Sequence, residues 1–433
     1  MMNIIQTAKD KGFEILKTER SDDVVHHFNL HISDQTDQVI QGFGGAFTEA
    51  SAYNLLRVDK ALRHAMLKAY FDPIHGAGYT MGRLSINSCD FGLTSYDYVK
   101  PYDESLESFD ISRDQHIIDL ILDATNIAGK TLKLIASPWS PPFWMKDNLN
   151  MIKGGSLLPK YYDLWAQYII KFLKAYQEKG VEIEAVTIQN EPLATQRWES
   201  CVYDHEQEKN MVIRLGRAFK EANLNTKIYI WDHNRDVMYE RAKHILSDEE
   251  ARTYVYGIAF HWYDQTQFDE VLKTHQAFPE RHLLFTEGCQ EYGPHIGSYE
   301  VGERYGVNMM KDIHHGTEGY IDWNLFLDTT GGPNHVNNLC SSPILVDVFP
   351  EEMITNPSFY YMSHFSKYVK EGAVRYHSQM DGHILHNVFK NKDGSYVVLL
   401  LNQSDEGVEI KCNHHTVSFE TTMDPHSIQT IIL

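Results

Sequence analysis

The chain has 433 residues, of which 42% are hydrophobic and 23% charged, and this ordinary globular balance excludes disorder over most of its length. Lys and Arg number 39 against 59 Asp and Glu, which gives a formal net charge of −20. That balance argues against a nucleic-acid partner, because phosphate binding needs dense basic side chains. No stretch approaches the roughly 20 apolar residues of a membrane span, so we expect no stable membrane insertion.

The beginning of the chain lacks the basic segment and apolar run of a secretory signal. The five cysteines are an odd number at wide spacing, which predicts reduced thiols instead of a disulfide framework. We therefore expect a cytoplasmic location, and the sequence leaves the oligomeric state open.

Taken in chain order, eight β-rich runs alternate with longer helical patterns. The runs are 38–42, 79–86, 131–136, 182–189, 227–231, 254–261, 282–287 and 319–327, and the helical patterns lie near 58–71, 112–128, 159–179, 205–222, 236–247, 267–276, 300–314 and 357–369. Runs such as 186–188 and 229–231 are almost continuously apolar, as parallel strands buried on both faces are. Eight strand–helix units favour an α/β fold with a closed (β/α)8 TIM barrel over an open doubly wound sheet.

The two ends of the chain have a different pattern. Residues from about 378 to 433 show no helical period and predict strands at 382–389, 395–402, 408–412, 416–420 and 427–433. The amino-terminal part predicts strands at 13–17 and 24–32. We predict N-terminal strands in 1–37, a catalytic barrel in 38–372 and a C-terminal domain in 373–433. The terminal strands would join in one small all-β sandwich.

Two glutamates directly follow apolar strand runs. This places them at the carboxyl-terminal face of the barrel, where barrel enzymes carry their reactive groups. They are Glu191, after the fourth run, and Glu287, at the end of the seventh. Strands three apart in a ring of eight would bring both side chains to the barrel mouth. A carboxylate pair about 5–5.5 Å apart is what retaining glycoside hydrolysis needs. The alternative is that each glutamate only caps the loop or helix after its strand.

An ordered set of motifs makes the sequence recognisable. The motifs are residues 41–49, 88–91, 136–140, 189–192, 261–263, 286–289, 322–325 and 331–334. Together they resemble glycoside hydrolase family 30, most closely its glucosylceramidase-like branch, over nearly the whole chain. The segment Asn190-Glu191-Pro192 alone is common to many barrel glycosidases, whereas the ordered set is specific.

The resemblance implies that Glu191 is the acid/base and Glu287 the nucleophile. Arg83 and the Tyr263 hydroxyl would stabilise the charge of Glu287, and that charge would raise the pKa of Glu191. The substrate-binding residues it implies are Asp90, Trp139, Asn190, Trp198, His261, Tyr263, Trp323 and Asn334. Among these, Asn190 would bind the sugar 2-hydroxyl, Trp198 a second sugar or hydrophobic aglycone, and Asn334 the aglycone entrance. The tryptophans could instead be core residues, and Arg83 a structural ion-pair partner.

No cofactor is expected, and no metal. The doublets His26-His27, His314-His315 and His414-His415 resemble metal sites, but adjacent side chains diverge on a helix or a strand. This argument predicts that none of the three imidazole pairs shares an ion.

The sequence thus predicts a retaining β-glycosidase for terminal β-D-glucosyl linkages, acting on a β-glucoside, a short oligosaccharide or a glycolipid. The alternatives are a β-1,6-glucanase or β-xylosidase of the same family, and a carbohydrate-binding protein without turnover. A lysosomal role fits poorly without a secretory signal. The loop 193–203 looks like that of microbial members, so we expect a microbial source.

Overall fold

The computed structural model describes residues 2–21, 24–264 and 266–433. The first three strands are β1 (Asn3–Ala8), β2 (Gly12–Leu16) and β3 (Val24–Val39). A closed barrel follows, with strands β4 (Gly42–Ala46), β5 (Met81–Ile86), β6 (Lys133–Pro138), β7 (Ala185–Thr187), β8 (Lys227–Asn234), β9 (Val255–His261), β10 (His282–Glu287) and β11 (Gly319–Asn324). Each barrel strand pairs in parallel with its neighbours, and β11 closes the ring on β4.

Two further sheets complete the β structure. A small sheet contains β12 (Phe326–Asp328), β13 (Ile344–Val348) and β14 (Glu351–Thr355). The C-terminal strands are β15 (Val374–Met380), β16 (Leu385–Lys390), β17 (Tyr396–Asn402), β18 (Gly407–Asn413), β19 (Ser418–Met423) and β20 (Ser427–Ile432). They combine with the first three strands in the order β19-β18-β3-β15-β16-β17-β20-β1-β2. The predicted barrel with an accompanying all-β sandwich is therefore confirmed.

Ten α-helices lie within the described ranges. They are α1 (Glu49–Leu56), α2 (Lys60–Phe71), α3 (Gln115–Ala128), α4 (Tyr162–Glu178), α5 (His205–Glu221), α6 (Met238–Leu246), α7 (Glu249–Tyr254), α8 (Phe268–Ala277), α9 (Tyr299–His314) and α10 (Pro357–Ser366). In α4 the apolar residues at spacings of three and four are all buried, because that face packs on the barrel core. No helix in the described part of the chain combines the length and apolar character needed to cross a membrane.

Three strand predictions need correction. The predicted run 38–42 is not the first barrel strand, because that strand begins at Gly42 and residues 38–39 end β3. The run 319–327 is split between β11 and β12. Strands β1, β13, β14 and β15 were not predicted, and β3 is longer than predicted. The register of β1, β3 and β15 comes from backbone pairing with strands distant in sequence, which an apolar pattern does not report.

The structure places the five cysteines and the histidine doublet His414-His415. All five cysteines are buried and free. The claim that adjacent histidines diverge is wrong for His414 and His415, whose Nε2 atoms both lie 3.5 Å from Asp34 Oδ1. These two residues occupy the turn between β18 and β19, where neither strand nor helix geometry separates them.

One inward-facing apolar layer closes the barrel beneath its mouth. It contains Met81, Ile135, Ala185, Tyr229, Ala259, Leu284 and Ile321, one residue from each of seven consecutive strands. Successive inward positions on a strand are two residues apart. The next inward layer toward the carboxyl ends of the strands therefore forms the floor of the mouth.

Candidate active site

That second layer is polar and aromatic. Two residues beyond the apolar layer stand Arg83, Ser137, Thr187, His261, Thr286 and Trp323. All six side chains are buried, and the polar ones are linked by hydrogen bonds. The site is therefore made of polar residues that lie two positions beyond the apolar layer along each strand, toward the mouth of the barrel.

Both predicted catalytic glutamates lie at this mouth. Glu287 is the last residue of β10, where a register irregularity separates it from Phe285 in the pairing with β9. Glu191 follows β7 with a backbone φ of +47°, in the left-handed region that L-residues rarely adopt. Its N–H donates to the Asp232 carbonyl at 3.0 Å, which stabilises the turn.

Arg83 connects the two glutamate loops. Its Nη1 donates to Glu287 Oε2 at 2.5 Å, and its Nη2 donates to Asn190 Oδ1 at 2.8 Å. The guanidinium also stacks over Trp139, 4.7 Å from the ring centroid. These contacts fix the orientation of the Asn190 amide and supply positive charge to the carboxylate of Glu287.

Asp232 lies at the centre of the network, and sequence reasoning missed it. Its carboxylate accepts hydrogen bonds from five side chains, those of Arg83, Ser137, Thr187, His261 and Thr286. A bulge in β8 at Trp231 and Asp232, both with positive φ, makes Asp232 and not Trp231 the inward residue. The polar triplet Asp232-His233-Asn234 at the end of this strand was the available signal.

Two imidazoles lie beside Glu191. Its Oε1 is 3.3 Å from His261 Nδ1 and 3.8 Å from His233 Nδ1. Burial raises the pKa of Glu191, but the hydrogen bond with His261 and the charges of both imidazoles outweigh it and lower the pKa to about 2. Burial lowers the pKa of His261, yet Glu287, Asp232 and Glu191 raise it to about 9.

Glu287 has the opposite shift. Burial raises its pKa, and the nearby charge of Glu191 adds to the effect, although His261 and Arg83 oppose it. Tyr263 donates its hydroxyl to Glu287 Oε1 at 2.9 Å. The raised pKa that we expected for Glu191 is therefore not found in the free protein, because the hydrogen bond with His261 and the charges of the two imidazoles lower it more than burial raises it.

The contacts of His261 differ from those expected of a substrate-binding residue. This residue was predicted to bind substrate, but its two ring nitrogens face Glu191 and Asp232. It is positioned to act through Glu191 and not on a sugar.

An aromatic and acidic surface lies beside the carboxylates. Trp139 and Trp323 stack with ring centroids 5.2 Å apart, and Trp198 packs, half-buried, against the same cluster. Burial raises the pKa of Asp90 to about 7, while the amide of Asn338 donates to its Oδ2 at 2.9 Å. Apolar rings next to polar acceptors are the arrangement by which proteins bind a sugar ring.

The loop 330–340 contains Asn334, which was predicted to line the aglycone entrance. Asn334 Oδ1 accepts from the N–H groups of Val336 and Asn338, both at 3.0 Å, and its Nδ2 donates to the Asn338 carbonyl. Its polar atoms therefore stabilise the loop itself. Asn338, through its contact with Asp90, is the residue of this loop that sequence reasoning missed.

Comparison with known proteins defines the class. Residues 40–369 match the model of the glycosyl hydrolase family 30 TIM-barrel domain, and residues 372–431 match that of the family 30 beta sandwich domain. The chain therefore belongs to glycosyl hydrolase family 30. It is a glycoside hydrolase, and its substrate is a glycan.

Individual relatives cover almost the whole chain. The lysosomal acid glucosylceramidase of Mus musculus is 34% identical over 420 residues, 91% of this chain and 81% of the relative. The crystal structure of SrfJ from Salmonella typhimurium superposes with a TM-score of 0.93 at 32% identity, covering 100% of this chain and 99% of that one. The endo-β1,6-glucanase BT3312 gives a TM-score of 0.87 at 29% identity, with the same coverage.

Proposed function

We propose that the chain hydrolyses terminal β-D-glucosyl linkages with retention of configuration, by a double displacement with Glu287 as nucleophile and Glu191 as acid/base. The observation that carries the proposal is the single hydrogen-bond network joining both glutamates. In it Arg83 contacts Glu287, His261 contacts Glu191, and Asp232 accepts from both Arg83 and His261. A protein that only binds glycans has no need for two carboxylates held in this way.

In the first step Glu287 attacks the anomeric carbon. Its two oxygens accept from Arg83 and Tyr263, and these donors oppose the effect of burial by favouring the charged form that must attack. The glycosidic bond breaks as the leaving oxygen is protonated, and a glycosyl-enzyme ester forms at Glu287.

The proton for the leaving group comes from the Glu191–His261 pair. In the free protein it resides on His261, whose Nδ1 lies 3.3 Å from Glu191 Oε1. Its transfer to Glu191 leaves the net charge of the pair unchanged and gives the carboxylic acid that protonates the glycosidic oxygen. In the second step Glu191 acts as the base for water, and the proton returns to the pair.

The sugar would lie against Trp139 and Trp323, with Asp90 and Asn190 binding its hydroxyls. The similarity to the mouse glucosylceramidase supports glucose as the terminal sugar and a hydrophobic aglycone, for which Trp198 offers a half-buried ring. A β-glucoside, a short oligosaccharide and a glycolipid all meet this description.

An endo-acting β-1,6-glucanase is the second candidate, favoured by the similarity to BT3312. A β-1,6-linked glucan distinguishes the two activities. The first candidate releases only glucose from the chain end, whereas the second releases oligosaccharides early in the reaction.

The mechanism is tested with nitrophenyl β-glucoside, β-xyloside and β-fucoside. We expect the glucoside to be the best substrate, and Glu287→Gln to reduce kcat about 10³-fold or more, since it removes the nucleophile. Glu291→Gln is the matched control, because Glu291 pairs with Arg304 outside the network and its loss should leave the rate almost unchanged. Near-normal turnover in Glu287→Gln would contradict the proposed nucleophile.

The stereochemistry is tested with Glu191→Ala and azide. Azide can attack the glycosyl-enzyme in place of water without a general base, so we expect it to restore turnover of an aryl glucoside. The product should be the β-glucosyl azide. An α-azide would instead show a single inverting displacement.

A further inference from the structure

Three side chains of a metal-ligating type converge on the carboxylate assigned as acid/base. The ligand atoms of Glu191, His233 and His261 all lie within 4.8 Å of one another. Glu191 Oε1 is 3.3 Å from His261 Nδ1 and 3.8 Å from His233 Nδ1. A tetrahedral ion with N and O ligands at about 2.0–2.1 Å keeps those ligands about 3.3–3.4 Å apart. Small rotations of His233 would close the remaining difference.

His261 is already oriented as metal-bound histidines are. Its Nε2 lies 3.1 Å from Asp232 Oδ1, so its Nδ1 faces Glu191. Metal-ligating histidines donate their other ring N–H to a carboxylate, a backbone carbonyl or water, and this contact fixes the tautomer and the direction of the ring. Asp232 itself accepts hydrogen bonds from Arg83 and from three hydroxyl groups, and these restrict the position of its carboxylate.

His233 supplies the third ligand. Its side chain is 14% exposed, and its Nδ1 is buried and has no hydrogen-bond partner within the part of the chain that the structure describes. The ring lies against that of Trp231, with the two centroids 5.2 Å apart. A buried imidazole nitrogen that has no hydrogen-bond partner and faces a carboxylate can serve as a metal ligand.

We propose that Glu191, His233 and His261 form a binding site for a borderline-soft divalent cation of the Zn²⁺ type, and that occupancy reversibly inhibits the enzyme. Two imidazoles and one carboxylate are a donor set that zinc takes in hydrolytic sites. The carboxylates of Glu287 and Asp232 nearby add negative potential. The ion would replace the proton held between Glu191 and His261, and that proton would pass to solvent. No bond to substrate and no electron transfer is involved.

The inhibition, though not the binding, rests on the proposed function. With the ion bound, Glu191 Oε1 is a ligand and can neither protonate the leaving group nor activate water. Mg²⁺ should not compete, because it prefers oxygen ligands and octahedral geometry.

Binding is measured directly, without substrate. Two surface groups also bring imidazoles and a carboxylate together, His205/Glu206/His244 and Asp34/His414/His415. The reference protein therefore carries His205→Asn and His414→Asn. We expect it to bind one equivalent of Co²⁺ with the visible absorption of a tetrahedral ion, and Zn²⁺ to displace the Co²⁺ where Mg²⁺ does not.

Two variants in that background locate the site. His233→Asn and Glu191→Gln should each weaken Co²⁺ binding at least tenfold. The thermal midpoint of each variant shows whether it is folded, and the second variant keeps the test valid if the first is not. Co²⁺ binding as tight as in the reference protein, in a folded variant of either kind, would overturn the proposal.

Activity then tests the inhibition. Zn²⁺ should abolish hydrolysis of the aryl glucoside by the reference protein, a chelator should restore it, and the residual activity of His233→Asn should be at least tenfold less sensitive. Equal sensitivity would overturn the proposal. Tight Co²⁺ binding in a protein that hydrolyses no glycoside would sink the proposed function and leave the metal site standing.

Discussion

Asp232 is a single buried residue that holds side chains from several barrel strands in place. It is fully buried, and its carboxylate forms an ion pair with Arg83, also fully buried, at 2.8 Å. Burial raises the pKa of Asp232, but Arg83 and His261 outweigh it and hold the pKa well below its usual range. These contacts favour the ionised carboxylate, which keeps both Arg83 and His261 in place.

We expect Asp232→Asn to lower the free energy of unfolding by about 3 kcal/mol, because removing one partner leaves the buried Arg83 only partly compensated. The matched control is Asp163→Asn. It also removes an Asp–Arg contact, at 3.3 Å from Arg214, but both of those side chains are largely exposed. The control should change stability by less than about 0.5 kcal/mol. Urea unfolding measures both, and equal losses would contradict the assignment.

At the scale of elements, α10 joins the barrel to the sandwich. His364 on this helix is buried, with Nδ1 2.7 Å from Thr430 Oγ1 of β20 and Nε2 2.9 Å from Thr7 Oγ1 of β1. Burial lowers its pKa to about 3 from an ordinary 6.5, and the charge of Lys367 adds to the shift. The interface therefore requires a neutral imidazole.

This interface predicts a pH dependence of stability. The unfolded chain takes up a proton at His364 near pH 6.5 and the folded chain only near pH 3, so the stabilisation is complete above pH 6.5 and lost as the pH falls toward 3. Between pH 7 and pH 5 the wild-type protein should lose about 2 kcal/mol more than His364→Gln, whose amide stays neutral. Urea titrations at both pH values measure the difference. His75→Gln, at an exposed position, should behave as wild type, and parallel losses in all three proteins would refute the prediction.

At the scale of the whole molecule, barrel and sandwich share one core. The largest cluster of buried apolar residues contains the barrel's helix-facing side chains together with Phe389, Val397, Leu399, Leu401 and Ile428 of the sandwich. Leu401 lies against Gly306 of α9, where a methyl group in place of the glycine hydrogen would come within 3.1 Å. A continuous core favours one cooperative unfolding unit.

We therefore expect Leu401→Ala, made in the sandwich, to destabilise the barrel equally. All seven tryptophans lie from Trp139 to Trp323, so their fluorescence reports on the barrel, while far-UV circular dichroism reports on both parts. Both probes should show the same loss of about 3 kcal/mol, the cost of a large-to-small change in a packed core. Exposed Ser418→Ala should change neither. A shift seen only by circular dichroism would show that the sandwich unfolds alone.

Much of this architecture follows from local sequence. Apolar strand runs separated by amphipathic helices indicate a parallel sheet covered by helices, and the number of eight such units favours a closed barrel. Glu191 and Glu287 could be located because each directly follows such a strand. Arg83, Thr187 and Thr286 could also have been placed inward, because each stands two residues beyond an apolar inward position.

Other features were decided only by the tertiary structure. The bulge that turns Asp232 inward, the contact of His261 with Glu191 and the resulting pKa of that carboxylate depend on how neighbouring strands are staggered. The extension of β3 and the existence of β15 depend on pairing between segments more than 300 positions apart. On the strands that alternate regularly, the sequence by itself determined which residues reach the mouth of the barrel, because that follows from spacing along each strand. Which of them touch, and so in which direction the pKa of each shifts, was decided by closure of the ring. Electrostatic interactions between side chains depend on distances across strands, which no local pattern contains.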